Sequence, residues 1–273
     1  MPSTTLGTRP GNDAEPADAG REGRVSILCY HAVDPDWNSP LAISPRDFRE
    51  HCQWLAEHRF VVNLPTAVRE VLPSGALPGK MTAITFDDGF ASLHEHALPT
   101  LVECSLPATV FLVAGTLRRG GSFIRWTEEK GTSEERPYRT LSRSQVLEMQ
   151  AAGVRFASHS YAHRDLTMLE ERRCVEDLRV SRQMLEDLLG QEVPFLAYPF
   201  GRHADHVRRA AETTGFEYAF ATSSINGRVD RFSVPRIGVY ANNGIATLRA
   251  KTTWYLPFKR HPLIRAVGSR KRR

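Results

Sequence analysis

The sequence predicts a parallel α/β fold, built either as a barrel or as an open doubly wound sheet. Short apolar and β-branched runs alternate with amphipathic helical segments along most of the chain, which is the pattern of strand–helix–strand units. Several polar residues with reactive side chains directly follow these runs, and both architectures collect their chemistry at the C-terminal ends of parallel strands. A composition of 41% hydrophobic and 25% charged residues is typical of a globular chain with a core and excludes a coiled-coil rod or a collagen-like repeat.

The individual elements follow from local patterns. Apolar runs predict strands at 25–30, 81–86, 108–113, 154–158, 195–198, 218–221 and 237–239. Amphipathic spacing predicts helices at 48–55, 92–103 with an interruption at Pro99, 142–152, 167–189 and 206–214. The helix starts are marked by an N-cap at Ser44, a capping box of Ser142 with Gln145 and a second box of Thr167 with Glu170. Gly190 is the predicted stop of the longest helix, and the polar segment 118–139 is predicted to be a long loop.

Composition divides the chain into three segments. Residues 1–24 are small, polar and rich in Pro and Gly, which predicts a disordered N-terminal tail. Residues 25–245 are predicted to fold as one domain, and residues 246–273 form a basic, aromatic C-terminal extension. The tail contains no apolar core of a signal peptide, and no stretch approaches the roughly 20 apolar residues that span a bilayer. We therefore expect a cytoplasmic protein with reduced thiols at Cys29, Cys52, Cys104 and Cys174.

The net charge of +5 conceals a separation of charge along the chain. Residues 231–273 hold 11 basic and no acidic residues, whereas the first 230 hold 25 basic and 31 acidic residues. The basic end also contains aromatic residues, a combination that favours peripheral binding to an anionic membrane surface or to a lipid-linked sugar. A C-terminal helix packed on the body with a solvated end explains it equally well. Nucleic-acid binding is not expected, because no recognised module accompanies the basic end.

Two short motifs contain residues that are suited to metal chemistry. Asp87 and Asp88 follow a predicted strand, and alone they are more typical of a turn than of a site. His159 and His163 are four residues apart after another strand, a spacing that can bind one metal ion but also arises by chance. Together, a carboxylate and two imidazoles suit a catalytic divalent ion with positions left open for water.

These motifs resemble those of the polysaccharide deacetylases, the NodB-homology group of carbohydrate esterase family 4. The matching segments are TFDDGF at 85–90, SHSYAH at 158–163 and AYPFG at 197–201, while CYHAV at 29–33 resembles a subgroup with a Tyr-His strand end that includes deacetylases of poly-N-acetylglucosamine. The likeness covers about residues 25–240. It implies a distorted (β/α) barrel of about seven strands, and it identifies 25–245 as the catalytic domain.

Carried over residue by residue, the resemblance implies a role for each motif position. Asp87 is the general base, and Asp88, His159 and His163 hold one divalent metal ion, expected to be zinc, with cobalt or nickel as alternatives. The backbone N–H of Phe200 donates to the substrate carbonyl. The substrate-binding residues are expected to be Tyr198, Pro199, Phe200 and Gly201. Aromatic residues beside a strand are, however, more often part of a core.

The sequence departs from the family pattern at two places. Ala197 stands where relatives carry an arginine that orients the catalytic aspartate, and we expect Arg236 to replace it, with a surface position as the alternative. The late Leu-x-x-His that supplies the general acid is missing, and we expect His31 to take that role unless it is a structural histidine. Asp230 is a minor candidate for holding either residue.

The predicted function is a metal-dependent hydrolase that removes N-acetyl groups from an N-acetylated amino sugar in a glycan or glycoconjugate. One alternative keeps the metal site and changes the substrate to a small amide or formamide, as in deformylase-like enzymes. The other is a carbohydrate-binding relative that has lost catalysis. The presence of all four residues Asp87, Asp88, His159 and His163 argues against the last alternative, because a pure binder does not need them.

Overall fold

Seven parallel strands close into a barrel in the computed structural model, which describes residues 25–74, 81–119, 123–124, 138–222 and 230–258. The strands are β1 (Ser26–Tyr30), β2 (Met81–Phe86), β3 (Ala108–Leu112), β4 (Arg155–Ser158), β5 (Phe195–Ala197), β6 (Tyr218–Thr222) and β7 (Val234–Gly238). Each strand pairs with the next one along the chain, and β1 pairs with both β2 and β7. The predicted barrel is confirmed, and the open sheet is excluded because the ring is closed.

Period-two alternation divides each strand between two packing environments. One face contributes to a cluster that contains residues from all seven strands, namely Ile27, Ala83, Phe111, Ala157, Phe195, Ala197, Phe220 and Val234. The other face, with residues such as Leu28 and Ile84, belongs to the larger cluster shared with the helices. The first cluster is therefore the barrel interior. Cys29, Thr85 and Arg236 lie two residues beyond Ile27, Ala83 and Val234, so alternation directs them inward near the C-terminal end.

Seven α-helices accompany the strands in the part of the chain that the structure describes. They are α1 (Pro45–His58), α2 (Leu64–Ser74), α3 (Leu98–Glu103), α4 (Arg143–Ala151), α5 (Glu171–Leu189), α6 (Asp205–Thr213) and α7 (Ile245–Phe258). The predicted N-cap is confirmed at Ser44, whose hydroxyl accepts the Asp47 N–H at 3.0 Å. The capping box of Ser142 with Gln145 is present, and Gly190 ends α5 with a φ of 65°. A π-helical turn (Leu93–Ala97) changes to α3 just before Pro99.

The predicted capping box of Thr167 with Glu170 is wrong. Asp165 instead caps a short 3₁₀ turn (Leu166–Met168), and its carboxylate accepts both the backbone N–H and the hydroxyl of Thr167. The Thr167 hydroxyl therefore donates to Asp165 and does not cap the following helix. That helix, α5, begins at Glu171 after Glu170, whose side chain makes no capping hydrogen bond.

The predicted loop 118–139 lies mostly outside the described residues. Where the structure describes it, two short strands, Phe123–Ile124 and Tyr138–Arg139, pair in antiparallel fashion. The prediction of a segment without secondary structure was therefore too simple. Another short strand, Phe60–Val61, pairs in parallel with the first two residues of β2, Met81 and Thr82.

Helix α7 contains the first residues of the predicted C-terminal extension. Leu248 is fully buried, and the Arg59 guanidinium donates to the Thr252 hydroxyl at 3.0 Å. The N-terminal tail and the residues after 258 lie outside the described part of the chain, so the predicted division into three segments stays a prediction. None of the helices in the described ranges combines the length and apolarity required to cross a membrane.

Candidate active site

A cleft of about 340 Å³ opens at the C-terminal end of the barrel. It is lined by His31, Leu41, Asp87, Asp88, His159, His163, Phe200, Gly201, Arg202, Thr222 and Tyr240. His31 follows β1, the two aspartates follow β2, and His159 follows β4. The structure thus brings together residues from three distant sequence motifs, in the place where parallel strands of a barrel present their ends.

Asp87 is held by a bidentate ion pair with Arg236. The two guanidinium N–H groups donate to the two carboxylate oxygens at 2.6 and 2.7 Å, and both side chains are buried. The Cys29 thiol donates a further hydrogen bond to Asp87 Oδ2 at 3.3 Å. Burial alone raises the pKa of Asp87, but the positive charges of Arg236 and His159 outweigh it and hold that pKa well below its usual range. The carboxylate is therefore ionised and fixed in orientation.

Arg236 reaches Asp87 through the barrel interior. Its side chain is fully buried, and the guanidinium carbon lies 5.0 Å from the centre of the Phe111 ring. Ala197 belongs to the same interior cluster, so a long side chain at either position enters the same space. The structure places Arg236 beside the aspartate that the sequence analysis assigned to it, and a surface position for this arginine is excluded.

Asp88, His159 and His163 converge on one point. Asp88 Oδ1 lies 3.3 Å from His159 Nε2 and 3.5 Å from His163 Nε2, and no other described group donates a hydrogen bond to it. The His159 Nδ1–H donates to the Ala197 carbonyl oxygen at 2.8 Å, which directs Nε2 toward the carboxylates. Burial and the charge of His159 lower the pKa of His163 to about 3, so this imidazole is neutral.

These three residues fit a divalent metal ion. A tetrahedral ion about 2.1 Å from each ligand separates the ligand atoms by roughly 3.4 Å, close to the two distances observed. Burial lowers the pKa of His159, but Asp87 and Asp88 raise it by a larger amount. The group of atoms therefore attracts a cation, either a proton on His159 Nε2 or a metal ion in its place. Asp88, His159 and His163 are the residues that could hold the metal.

Backbone geometry sets the direction of these side chains. Asp88, His163 and Phe200 all have positive φ values, of 74°, 52° and 59°, which non-glycine residues rarely adopt. Such conformations cluster at functional sites because the surrounding structure must stabilise them. In the loop after β4, the Asp177 carboxylate of α5 accepts the Tyr161 N–H at 2.7 Å, and the Ser160 hydroxyl accepts the His163 N–H at 3.0 Å.

The Tyr-His pair at the end of β1 divides between core and cleft. Tyr30 is buried, and its hydroxyl lies 3.1 Å from His51 Nδ1 of α1. His31 lines the cleft, and its Nδ1 is buried without a hydrogen-bond partner among the described residues. His31 is thus the residue of the pair that can contact a substrate, whereas Tyr30 packs in the core and links β1 to α1.

The third motif also divides between core and cleft. Tyr198 is fully buried and its hydroxyl donates to the Phe232 carbonyl oxygen at 3.1 Å, and Pro199 is buried as well. Neither lines the cleft, so the ring of Tyr198 is not available to a sugar. Phe200 and Gly201 do line it. Gly201 has a φ of 64°, and a Cβ there would lie 1.7 Å from Thr222 Oγ1, so the close approach requires glycine.

Sequence reasoning missed Leu41, Arg202, Thr222 and Tyr240, which also line the cleft. Tyr240 could have been found, since it directly follows the predicted strand 237–239 as His31 and Asp87 follow theirs. Leu41 lies in a segment where no sequence pattern indicated a site. Asp230, the minor candidate, forms an ion pair with Arg208 and does not line the cleft.

The fold and site together define a NodB-like parallel barrel with an Asp-His-His cluster at its C-terminal end. The sequence model of the polysaccharide deacetylases matches residues 74–219, more than half of the 273 residues. The chain belongs to the polysaccharide deacetylase family.

Two solved structures that cover most of this chain share its fold. IcaB from Ammonifex degensii is 27% identical with a TM-score of 0.70, and the match covers 85% of this chain and 98% of that one. The Streptococcus pyogenes deacetylase PplD, in complex with acetate, is 24% identical with a TM-score of 0.70 over 85% of this chain and 99% of that one.

Curated relatives are similar at a comparable level of identity. A poly-beta-1,6-N-acetyl-D-glucosamine N-deacetylase of Staphylococcus epidermidis is 25% identical over 218 residues, which are 76% of this chain and 71% of that protein. The chain spans 66% to 71% of the length of the first three curated relatives that it matches.

Proposed function

We propose that this protein is a metal-dependent hydrolase that removes N-acetyl groups from an N-acetylated amino sugar in a glycan or glycoconjugate. The observation that carries the proposal is the convergence of Asp88, His159 and His163 on one point beside the arginine-bound carboxylate of Asp87. A site that only bound carbohydrate would have no use for an ionised, oriented carboxylate next to a cation site. The family membership makes deacetylation the reaction that such a site would perform.

The group that these three residues would hold is one divalent ion, and zinc suits a site with one carboxylate and two imidazoles, as do cobalt and nickel. Bound there, the ion would lower the pKa of a water molecule and polarise the carbonyl of the substrate amide.

The surrounding residues supply the proton transfers and the orientation. Asp87 would accept a proton from the attacking water, and Arg236 would keep its carboxylate aimed at that water. The backbone N–H of Phe200 would donate to the carbonyl oxygen as negative charge develops on it. His31 would give a proton to the leaving amine as the carbon–nitrogen bond breaks, so that the products are acetate and the free amino sugar.

The sugar substrate is proposed from the relatives. The curated relatives from Staphylococcus are named for poly-beta-1,6-N-acetyl-D-glucosamine, and PplD was solved with acetate, the acid that deacetylation releases. A cleft of about 340 Å³ has room for a monosaccharide unit with its acetamido group. A small amide or formamide, as used by deformylase-like enzymes, is the alternative substrate class.

Acetate release from β-1,6-linked N-acetylglucosamine oligomers of one to six units tests the proposal, with the products identified by mass. We expect each product to be about 42 Da lighter than its substrate for every acetyl group removed, an increment set by the chemistry of deacetylation. We also expect longer oligomers to react faster than the monosaccharide. Formamide and N-methylacetamide are the comparison substrates. Turnover of these amides without turnover of any sugar would reject the proposal in favour of the small-amide alternative.

Most of the basic residues in the C-terminal extension 246–273 lie outside the described residues, and attachment of this end to an anionic membrane surface or to a lipid-linked sugar stays a prediction.

A further inference from the structure

Tyr240 presents an aromatic ring at the cleft. It follows β7 by two residues, lines the cleft together with His31 and Asp88, and is 38% exposed. Large apolar surfaces left exposed beside a polar pocket are typical of ligand contacts. The proposed mechanism does not use this residue, and the sequence motifs do not include it.

Tyr240 is held through its backbone and through two contacts of its side chain. The Asn243 side-chain oxygen accepts the Tyr240 backbone N–H at 3.1 Å. The ring end lies against Gly238, where an added Cβ would be only 2.6 Å from the Tyr240 hydroxyl oxygen. The Lys251 ammonium lies 5.3 Å from the ring centre, within the range of a cation–π contact. A ring held in this way loses little freedom when it binds a ligand, which favours affinity.

Lys251 of α7 forms hydrogen bonds to residues on both sides of Tyr240. Its ammonium donates to the Gly238 carbonyl oxygen and to the Asn243 side-chain oxygen, each at 2.5 Å. The Ala241 N–H donates to the Pro40 carbonyl oxygen at 2.9 Å, which ties the Tyr240 segment to the one that carries Leu41. Leu41 and Tyr240 therefore form connected parts of the cleft wall, and Lys251 supports that wall from outside the cleft.

We propose that Tyr240 is the platform on which the pyranose ring of the acetylated sugar stacks, and that Lys251 is a positioning residue that holds the platform. This inference rests on the proposed function, because it needs a sugar whose acetamido group reaches Asp88, His159 and His163. A pyranose has an apolar face of C–H groups that packs on an aromatic ring, while its hydroxyl groups remain in water. Phe200 is less suited to this role because its ring packs on His163, with the two ring centres 4.7 Å apart.

Measuring sugar binding in a variant that cannot hydrolyse the sugar tests this inference independently of the proposed reaction. Affinity for a β-1,6-linked N-acetylglucosamine pentasaccharide is measured by calorimetry in the full-length Asp87→Asn protein loaded with zinc. Adding Tyr240→Ala is expected to weaken binding about fivefold to tenfold, the range of a lost aromatic contact. Tyr240→Phe keeps the ring and is expected to restore affinity to within about twofold of the parent. Phe60→Ala, which removes a 66% exposed ring outside the cleft, is the matched control and should leave affinity unchanged.

The pH dependence of pentasaccharide affinity tests the role of Lys251. Burial lowers the pKa of Lys251 to about 8, so its charge is lost as the pH rises through that value. Among the described residues, His51 of α1 is an ionisable group influenced by the charge of Lys251, and burial lowers the pKa of His51 to about 4, so it is already neutral in this range. We expect pentasaccharide affinity to fall between pH 7 and 9 by about twofold to fivefold, the size of a cation–π contact, and to be pH-independent in Lys251→Met.

The outcomes that overturn the inference are distinct from failure of the proposed function. The platform role of Tyr240 would be overturned if the Asp87→Asn parent did not bind the pentasaccharide or if Tyr240→Ala left the affinity unchanged. It would also be overturned if Tyr240→Phe lost as much affinity as Tyr240→Ala. The same pH dependence with and without Lys251 would overturn the positioning role. If the wild-type protein releases no acetate while Tyr240→Ala still weakens binding, the proposed function fails and the platform stands.

Discussion

Asp87→Asn is expected to lower kcat for deacetylation by about 10²-fold to 10⁴-fold, the range for loss of a general base, while the bound metal is retained. The asparagine amide has nearly the same shape as the carboxylate but cannot accept a proton from water at neutral pH. Asp88, His159 and His163 are unchanged in this variant, so its metal content should equal that of the wild type. The measurements are acetate release at saturating substrate and metal stoichiometry on the same preparation.

Asp230→Asn is the matched control for this prediction. Asp230 is also a carboxylate paired with an arginine, Arg208, but it does not line the cleft. We expect its substitution to change kcat by less than about threefold, since it removes a partly exposed ion pair of small energetic value. A kcat for Asp87→Asn within about tenfold of the wild type, with metal bound, would reject the base role of Asp87.

Arg236→Met is expected to lower both stability and activity. The substitution leaves the Asp87 carboxylate buried without its partner, and breaking a buried ion pair from one side costs about 3–5 kcal/mol of unfolding free energy. Without the two guanidinium hydrogen bonds, the carboxylate is no longer held in one orientation, so kcat should fall as well. Arg236→Lys should restore little, because an ammonium cannot donate two parallel hydrogen bonds to one carboxylate.

A double variant distinguishes loss of the ion pair from general damage to the core. Adding Asp87→Asn to Arg236→Met removes the uncompensated charge, so the double variant should be more stable than Arg236→Met alone. Unfolding free energies from urea denaturation of the three variants and the wild type measure this coupling. Additive losses would show that the two residues do not stabilise each other and would contradict the assigned pair.

The fold was largely predictable because each strand carries its own local signal. The apolar runs at 81–86 and 108–113 became β2 and β3 with shifts of at most one residue, since they are buried on both faces. Closure of the barrel was not visible in these runs, because the pairing of β1 with β7 joins residues that are far apart in the chain. The resemblance to a known family supplied that part of the prediction.

The site was predictable where a residue follows a strand within a motif, and less so elsewhere. Asp88, His159 and His163 meet as the motifs implied, and Arg236 was found only as a replacement for a missing arginine. Tyr198 was misplaced because the motif does not show which side of the strand end faces the core. The Cys29 hydrogen bond to Asp87 gave no signal at all, since a cysteine in an apolar strand looks like any other core residue.

The central claim is that a divalent ion held by Asp88, His159 and His163 supports deacetylation by this chain. The most direct test is acetate release from one preparation before chelation, after removal of the metal, and after addition of one equivalent of zinc. We predict activity in the first sample, none above background in the second, and recovery in the third, with one ion bound per wild-type chain and none in the His159→Asn, His163→Asn variant. Full activity in the metal-free protein would contradict the claim.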